Sequence, residues 1–180
     1  PQPNLPGKHQ WENACVVAQS IQLLQDILPI HQEALIQGLQ NIKWPGRLEK
    51  LVENPKQTIW FDVAHNAASA QAVQDFFTGR AGHKSLIFCL LKSKDALETL
   101  RPLVKTFDHL VFFTPPEEER YHDACYLQKI SMKLGVSKEK IYVYLSLEKA
   151  LSHAKGAPNN DVLIAGSHYI AGQVRHALAL

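Results

Sequence analysis

Residues 58–77, TIWFDVAHNAASAQAVQDFF, contain an apolar run rich in β-branched and aromatic residues, followed directly by an amphipathic stretch. The run has the composition of a buried β-strand, and the stretch after it has apolar residues at helical spacing. The same alternation recurs through the rest of the chain. The further strand-like runs are SLIFCLL, HLVFFT, KIYVYL and DVLIAG, and the helix-like stretches are DALETLRPLVKTF, DACYLQKISMKLG and LEKALSHAKG.

This alternation predicts the fold class. With RLEKLV at residues 47–52 as a leading strand, the chain has six predicted strands. Near-continuous apolar strands separated by helices are typical of a mostly parallel sheet that helices cover on both faces. Residues 44–180 are therefore predicted to form an α/β, Rossmann-like, doubly wound domain. Residues 1–43 are predicted to form a helical segment, with NACVVAQSIQLL and HQEALIQGLQNI on either side of a proline.

The composition is that of an ordinary soluble protein. The chain has 180 residues, 46% of them apolar, and a formal net charge of +2. Such a charge gives no electrostatic reason to expect nucleic acid or an anionic membrane as a partner. The longest unbroken apolar run, residues 86–91, is too short to span a bilayer. Three cysteines without a CxxC pair predict reduced thiols in a cytoplasmic protein. Because the chain does not begin with methionine, we expect it to be a piece of a longer protein.

Polar residues follow the predicted strands, and parallel α/β sheets bind ligands beyond the carboxyl ends of their strands. Asp62, His65 and Asn66 follow the second strand, and Gly166 and Ser167 follow the last. A carboxylate can hold a ribose hydroxyl, and a glycine lets a ligand approach the backbone. Asp62 or Asn66 could instead cap a helix, as could the serine. The other candidates at strand ends are Lys92, Lys94, Asp95, Thr114 and His168.

WPGRLE at residues 44–49 places Arg47 after a proline–glycine corner. Such turns are common, and their arginine is usually solvated. Asn13, in LPGKHQWENA, has an equally ordinary interpretation as a helix residue of low propensity. The chain has no GxGxxG, phosphate-loop, HExxH or nucleophile-elbow motif, and its nine histidines lack the spacing of metal ligands.

Taken in order, LPGKHQWENA, WPGRLE, DVAHN, KD and GSHY resemble the C-terminal portion of the folylpolyglutamate synthase/dihydrofolate synthase family, a branch of the Mur ligase superfamily. The resemblance covers essentially the whole chain. It implies an ATP-dependent amide ligase of folate biosynthesis, in which a carboxylate of dihydropteroate or a folyl(poly)glutamate becomes an acyl phosphate and the amine of L-glutamate attacks it. It also implies Mg²⁺, whose ligands, like the phosphate loop, would lie upstream. Residues 1–43 would be the helical tail of that central ATP-binding domain, and 44–180 the closing C-terminal domain.

The resemblance also implies the site residues. Asn13 would contact adenine, Asp62 the ribose and Arg47 the phosphates of ATP, with Arg47 acting as a catalytic residue in phosphoryl transfer. His65, a second implied catalytic residue, would form the glutamate pocket with Ser167. The isolated chain, lacking the phosphate loop, would be inactive as a ligase.

This sequence departs from the family pattern at three positions. Val63 and Ala67 stand where glycine and proline are usual, and His168 stands where an apolar residue is commoner. Two other classes stay open: a peptidoglycan-type Mur ligase, and a non-catalytic, doubly wound binding or signalling module. A response-regulator-like module needs an acidic pair after its first strand, an aspartate after its third and a lysine after its fifth. KSKD and LSLEKA do not match this pattern. The sequence leaves open whether dihydropteroate, folylpolyglutamates or both are substrates.

Overall fold

Two helices, α1 (His9–Leu23) and α2 (Gln32–Gln40), precede a six-stranded sheet in the computed structural model, which describes residues 2–116, 118–156 and 160–180. The strands are β1 (Glu49–Asn54), β2 (Gln57–Asp62), β3 (His83–Phe88), β4 (His109–Phe113), β5 (Ile141–Tyr144) and β6 (Asn160–Ala165). The helices that accompany the sheet are α3 (Ala67–Thr78), α4 (Ala96–Leu103), α5 (Ala124–Lys133), α6 (Leu147–Ala154) and α7 (Ala171–Leu178).

The sheet has the order β1-β2-β6-β3-β4-β5, and every neighbouring pair is parallel except β1 with β2. Only Pro55 and Lys56 separate β1 from β2, so a crossover helix cannot fit and the two strands form a hairpin. The Asn54 side chain stabilises the turn by accepting the N–H groups of Lys56 and Gln57, each at 3.0 Å. The predicted mostly parallel, six-stranded α/β sheet is confirmed.

The apolar runs are buried on both faces of the sheet, which explains why they lack polar alternation. In β3, Leu86 and Phe88 face the core beneath α3, α4 and α5. Ile87 and the following Cys89 face the core beneath α6 and α7. The sheet is therefore the middle of three layers. Burial also raises the pKa of the Cys89 thiol, which makes this cysteine an unreactive core residue.

The carboxyl ends of β2, β6 and β3 lie side by side, with Ala165 paired to both Asp62 and Phe88. Gly166 follows at once with φ +114°, and a Cβ there would lie 1.6 Å from the carbonyl oxygen of Cys89. This glycine is needed for close packing of two strand ends. Protein backbone occupies the space of the missing side chain, so close packing accounts for this glycine. The approach of a ligand to its backbone stays a prediction.

Helix α1 buries little of its surface. Ala14 is buried, whereas Trp11, Val16 and Leu23 are 46%, 65% and 77% exposed. No helix within the described ranges has both the length and the apolar character needed to cross a bilayer.

Candidate functional site

A cleft of about 340 Å³ lies between α1, the turn before β1 and the start of α3. It is lined by four of the predicted site residues: Asn13, Arg47, Asp62 and His65. These side chains come from three separate parts of the chain, and the fold brings them to one place. The cleft therefore offers an amide, a guanidinium, a carboxylate and an imidazole to one ligand.

The turn that carries Arg47 has an unusual backbone on both sides of the arginine. Gly46 has φ +74°, and a Cβ there would lie 2.7 Å from Cγ1 of Val63. Leu48 has φ +45°, a left-handed conformation that costs a non-glycine residue roughly 1–2 kcal/mol. The Gly46 carbonyl accepts the Val63 N–H at 3.0 Å, which ties the turn to the residue after β2. The hydrogen bonds of the surrounding chain hold this conformation in place.

Asp62 supplies one of those hydrogen bonds. Its Oδ2 accepts the N–H of Leu48 and its Oδ1 accepts the N–H of Ala64, both at 2.8 Å. The residue is only 6% exposed, and this burial raises the pKa of its carboxyl group. The two hydrogen bonds and the positive charges of Arg47 and His9 act in the opposite direction. Asp62 therefore links β2 to the Arg47 turn and caps no helix.

The Arg47 side chain keeps its charge available to a ligand. It is partly exposed on the wall of the cleft. Within residues 2–116, 118–156 and 160–180, no carboxylate forms a salt bridge with it. A guanidinium that is held at a fixed turn and faces a cleft is suited to bind phosphate or carboxylate oxygens.

His65 and Asn66 have different roles at the start of α3. Asn66 is the N-cap: its Oδ1 accepts the Ser69 N–H at 2.9 Å, and Ser69 completes a capping box. The structural interpretation of Asn66 is thus correct. His65 Nδ1 lies 2.8 Å from the Val63 carbonyl oxygen, which can only accept, so the ring hydrogen sits on Nδ1. In the neutral ring, Nε2 is then a hydrogen-bond acceptor.

Asn13 is exposed at the cleft, one turn after the start of α1. Its amide group donates to Oε1 of the buried Gln10 at 3.0 Å. Gln10 in turn contacts Nε2 of His9 at 2.9 Å. These contacts orient the Asn13 amide, whose remaining N–H and carbonyl oxygen can donate and accept together.

Ser167 lies outside this set of lining residues. It is 2% exposed, its Oγ accepts the Tyr169 N–H at 3.2 Å, and the Tyr121 hydroxyl lies 3.3 Å from the same oxygen. These contacts make Ser167 the cap of the 3₁₀ turn that precedes α7. Ser167 is not among the residues that line the cleft containing His65, and its role in glutamate binding stays a prediction.

Two of the other polar residues at strand ends have structural partners. Asp95 caps α4 by accepting the Glu98 N–H at 3.0 Å. The Thr114 hydroxyl accepts the Ala124 N–H at 3.0 Å, at the beginning of α5. Lys92 and His168 are exposed.

Two residues of the site region were not predicted. Glu49 Oε2 accepts the Gly46 N–H at 2.9 Å, and Arg175 Nη2 donates to Glu49 Oε1 at 2.7 Å. The position of Glu49 in WPGRLE, two residues after Arg47, was a weak indication that it belongs to the site. Arg175 has no sequence signal, because it approaches the turn only in the folded chain.

The described residues contain no group of three or more histidine, cysteine, aspartate or glutamate side chains arranged to hold a metal ion.

Comparison with known proteins places this chain in a family. Residues 46–168 match the family described as "Mur ligase, glutamate ligase domain". A dihydrofolate synthase/folylpolyglutamate synthase of Bacillus subtilis is 30% identical over 182 residues, covering 97% of this chain and 40% of that protein. A UDP-N-acetylmuramyl-tripeptide synthetase of Lacticaseibacillus paracasei is 26% identical over 143 residues, covering 76% of this chain and 28% of that protein.

A solved structure resembles nearly the whole fold. It is a bifunctional folylpolyglutamate synthase/dihydrofolate synthase with Mn, AMPPNP and L-glutamate bound, with a TM-score of 0.82 and 28% identity. The match covers 100% of this chain and 41% of that one. This chain thus spans about 40% of the length of the first curated relative it matches.

Proposed function

We propose that this chain, which belongs to the Mur ligase family through its glutamate ligase domain, is the C-terminal part of an ATP-dependent amide ligase. The ligase adds L-glutamate to dihydropteroate, to folyl(poly)glutamates or to both, in folate biosynthesis. The relative and the solved structure named as folylpolyglutamate synthase/dihydrofolate synthase support this branch of the family.

The observation that carries the proposal is the grouping of Asn13, Arg47 and Asp62 in one cleft. The chemistry of these groups fits the three parts of ATP. An amide can pair with the donor and acceptor edge of adenine, a carboxylate can accept from ribose hydroxyls, and a guanidinium can bind phosphate oxygens. Each carboxylate oxygen has two lone pairs, so Asp62 keeps acceptor capacity beyond its two backbone hydrogen bonds.

Arg47 has the catalytic role in this proposal. ATP activates the acceptor carboxylate as an acyl phosphate, and negative charge on the transferring group is stabilised by a preorganised cation. The backbone of the Arg47 turn is hydrogen-bonded without a ligand, so the turn that carries the guanidinium needs no reorganisation during the reaction. Because the turn joins residues 1–43 to the sheet, closure of the two parts would bring Arg47 to the phosphates.

His65 is proposed to act on the incoming glutamate. Its Nδ1 hydrogen is held by the Val63 carbonyl, so the neutral ring can accept a proton or hydrogen bond at Nε2, as orientation of the attacking amine requires. Ser167, assigned to the same pocket by the family resemblance, is buried as a cap. It would affect glutamate binding by holding the 3₁₀ turn between β6 and α7 in place.

Residues 1–43 are proposed to be the tail of a central ATP-binding domain. The support is the apolar surface of α1, where Val16 and Leu23 are 65% and 77% exposed. Side chains of this kind usually pack against another surface. The Mg²⁺ ligands would belong to that other domain, as the family resemblance implies. No step of the proposal depends on the geometry of that ion.

A coupled ATPase and glutamate-ligation assay on the complete protein tests the proposal. Dihydropteroate or tetrahydrofolate, with L-glutamate, should stimulate ADP release and form a glutamylated product. Stimulation by a peptidoglycan precursor and another amino acid instead would overturn the folate assignment. The similarity to a UDP-N-acetylmuramyl-tripeptide synthetase makes this second candidate the one to include in the assay.

A further inference from the structure

The turn that carries Arg47 is joined to the last helix through one carboxylate. Glu49 accepts the Gly46 N–H at 2.9 Å with Oε2 and the Arg175 guanidinium at 2.7 Å with Oε1. Glu49 and Arg175 are 126 residues apart in sequence. We infer that Glu49 and Arg175 form a brace that positions Arg47 for its action on the nucleotide phosphates, an inference that rests on the proposed function.

The brace acts on a part of the backbone that has unfavourable dihedral angles. Gly46 and Leu48, the neighbours of Arg47, both have positive φ, at +74° and +45°. Glu49 holds the N–H of the first, and Asp62 holds the N–H of the second at 2.8 Å. Two carboxylates therefore hold the backbone N–H groups of the residues before and after the arginine. Loss of either one frees a turn that includes an intrinsically unfavourable conformation.

Arg175 gives the brace a rigid anchor. It follows Val174, which is completely buried in the core beneath α7. The Glu49 side chain is 23% exposed and that of Arg175 is 39% exposed, so the ion pair is partly solvated. A partly solvated ion pair contributes little to global stability. Its proposed role is orientation: it keeps the Glu49 carboxylate turned towards the Gly46 N–H.

A double-mutant cycle on turnover tests this inference in the complete enzyme. Glu49→Ala should lower kcat about 10- to 100-fold, the loss expected when a preorganised group is misplaced by about 1 Å. Arg175→Ala should lower kcat by a smaller factor, and Arg175→Lys should restore part of it. In an Arg47→Ala background, Glu49→Ala should lower kcat by less than about 2-fold further, because groups that act as one unit are non-additive.

The matched control is Glu53→Gln, which disrupts the Lys50–Glu53 pair of 2.7 Å on the same strand without touching the Arg47 turn. It should leave kcat unchanged. An equal loss of kcat from Glu49→Ala in the wild-type enzyme and in the Arg47→Ala variant would overturn the inference, since Glu49 would then act independently of Arg47. An equal loss from Glu53→Gln would also overturn it, because the effect would be general to the hairpin.

Amide hydrogen exchange separates failure of this inference from failure of the proposed function. In the complete protein without substrates, Glu49→Ala should speed exchange at the Gly46 N–H, and Glu53→Gln should not. Unchanged exchange at Gly46 overturns the brace itself. If exchange responds but the protein ligates no glutamate, the brace exists and the proposed function is wrong. If exchange responds and Arg47→Ala leaves turnover unchanged, the brace exists but Arg47 has no catalytic role for it to support, which overturns the inference.

Discussion

His65 and Ser167 were paired by the family resemblance, and the structure gives them different environments. His65 lines the cleft with Arg47, whereas Ser167 is buried as a cap. A serine after a strand and before a helix is equally typical of a ligand contact and of a cap. Sequence alone therefore could not separate these two roles, because the difference depends on Tyr121 lying over the hydroxyl.

His65→Ala in the complete enzyme should raise the KM for glutamate at least several-fold and leave the KM for ATP nearly unchanged. The physical reason is the loss of the Nε2 acceptor while the Arg47 turn stays intact. Steady-state kinetics with each substrate varied in turn measures this. His176→Ala, at an exposed position of α7, is the control. A shift confined to ATP would place His65 in the nucleotide site.

Gly166→Ala should severely destabilise the chain. The new methyl group would lie 1.6 Å from the Cys89 carbonyl oxygen, and φ is +114°. Strain and overpacking together should cost more than about 3 kcal/mol of unfolding free energy. Chemical denaturation of the two proteins measures the difference.

Gly172→Ala is the control for that experiment, since Gly172 is helical and a Cβ there meets nothing within 4 Å. It should be neutral or stabilise the fold by up to about 1 kcal/mol. A wild-type-like free energy of unfolding for Gly166→Ala would show that the strand ends can separate at no cost.

At the scale of elements, the parallel strands were predictable because burial on both faces leaves long apolar runs, as in residues 86–91. The antiparallel partner β1 was harder to place. Its residues are partly exposed at the sheet edge, so its run is polar, and the predicted strand at 47–52 extended into the Arg47 turn. The Glu49–Arg175 pair was unpredictable, since no local pattern connects residues 126 positions apart.

A cluster of histidines at the amino ends of β3 and β4 should make stability depend on pH. His109 packs against His83 with ring centroids 4.6 Å apart, and His153 on α6 lies 3.0 Å from the Tyr144 hydroxyl. Burial lowers the pKa of His109, and the charges of His83, His153 and Lys140 add to this, while Asp108 opposes it. Burial also lowers the pKa of His153.

A lowered pKa means that the unfolded chain binds more protons than the folded one as pH falls below about 6.5. Stability from these neutral rings is thus fully present above that pH and is lost as pH falls through it. Thermal unfolding should give a lower Tm at pH 5.5 than at pH 7.5, and His109→Gln should reduce the difference. An unchanged difference in the variant would show that other groups control the pH dependence.

At the scale of the whole molecule, the 180-residue chain should fold alone but bind nucleotide weakly. It has a complete sheet with apolar cores on both faces. A nucleotide held by contacts from one side should bind no more tightly than about 1 mM. Calorimetry should show cooperative unfolding, and titration with ATP·Mg²⁺ should give no micromolar binding. Micromolar affinity or glutamate ligation by this chain alone would contradict the proposed division of the site between two domains.

The turnover of Arg47→Ala in the complete enzyme tests the central claim most directly, because the account depends on a guanidinium that acts in phosphoryl transfer. Arg101→Ala, which removes an exposed guanidinium from α4, is the control and should behave as wild type. Arg47→Ala should lower kcat about 100-fold or more at saturating substrates, with a much smaller change in the KM for ATP. An unchanged kcat at saturation, with only a raised KM for ATP, would contradict the claim and leave Arg47 as a binding contact.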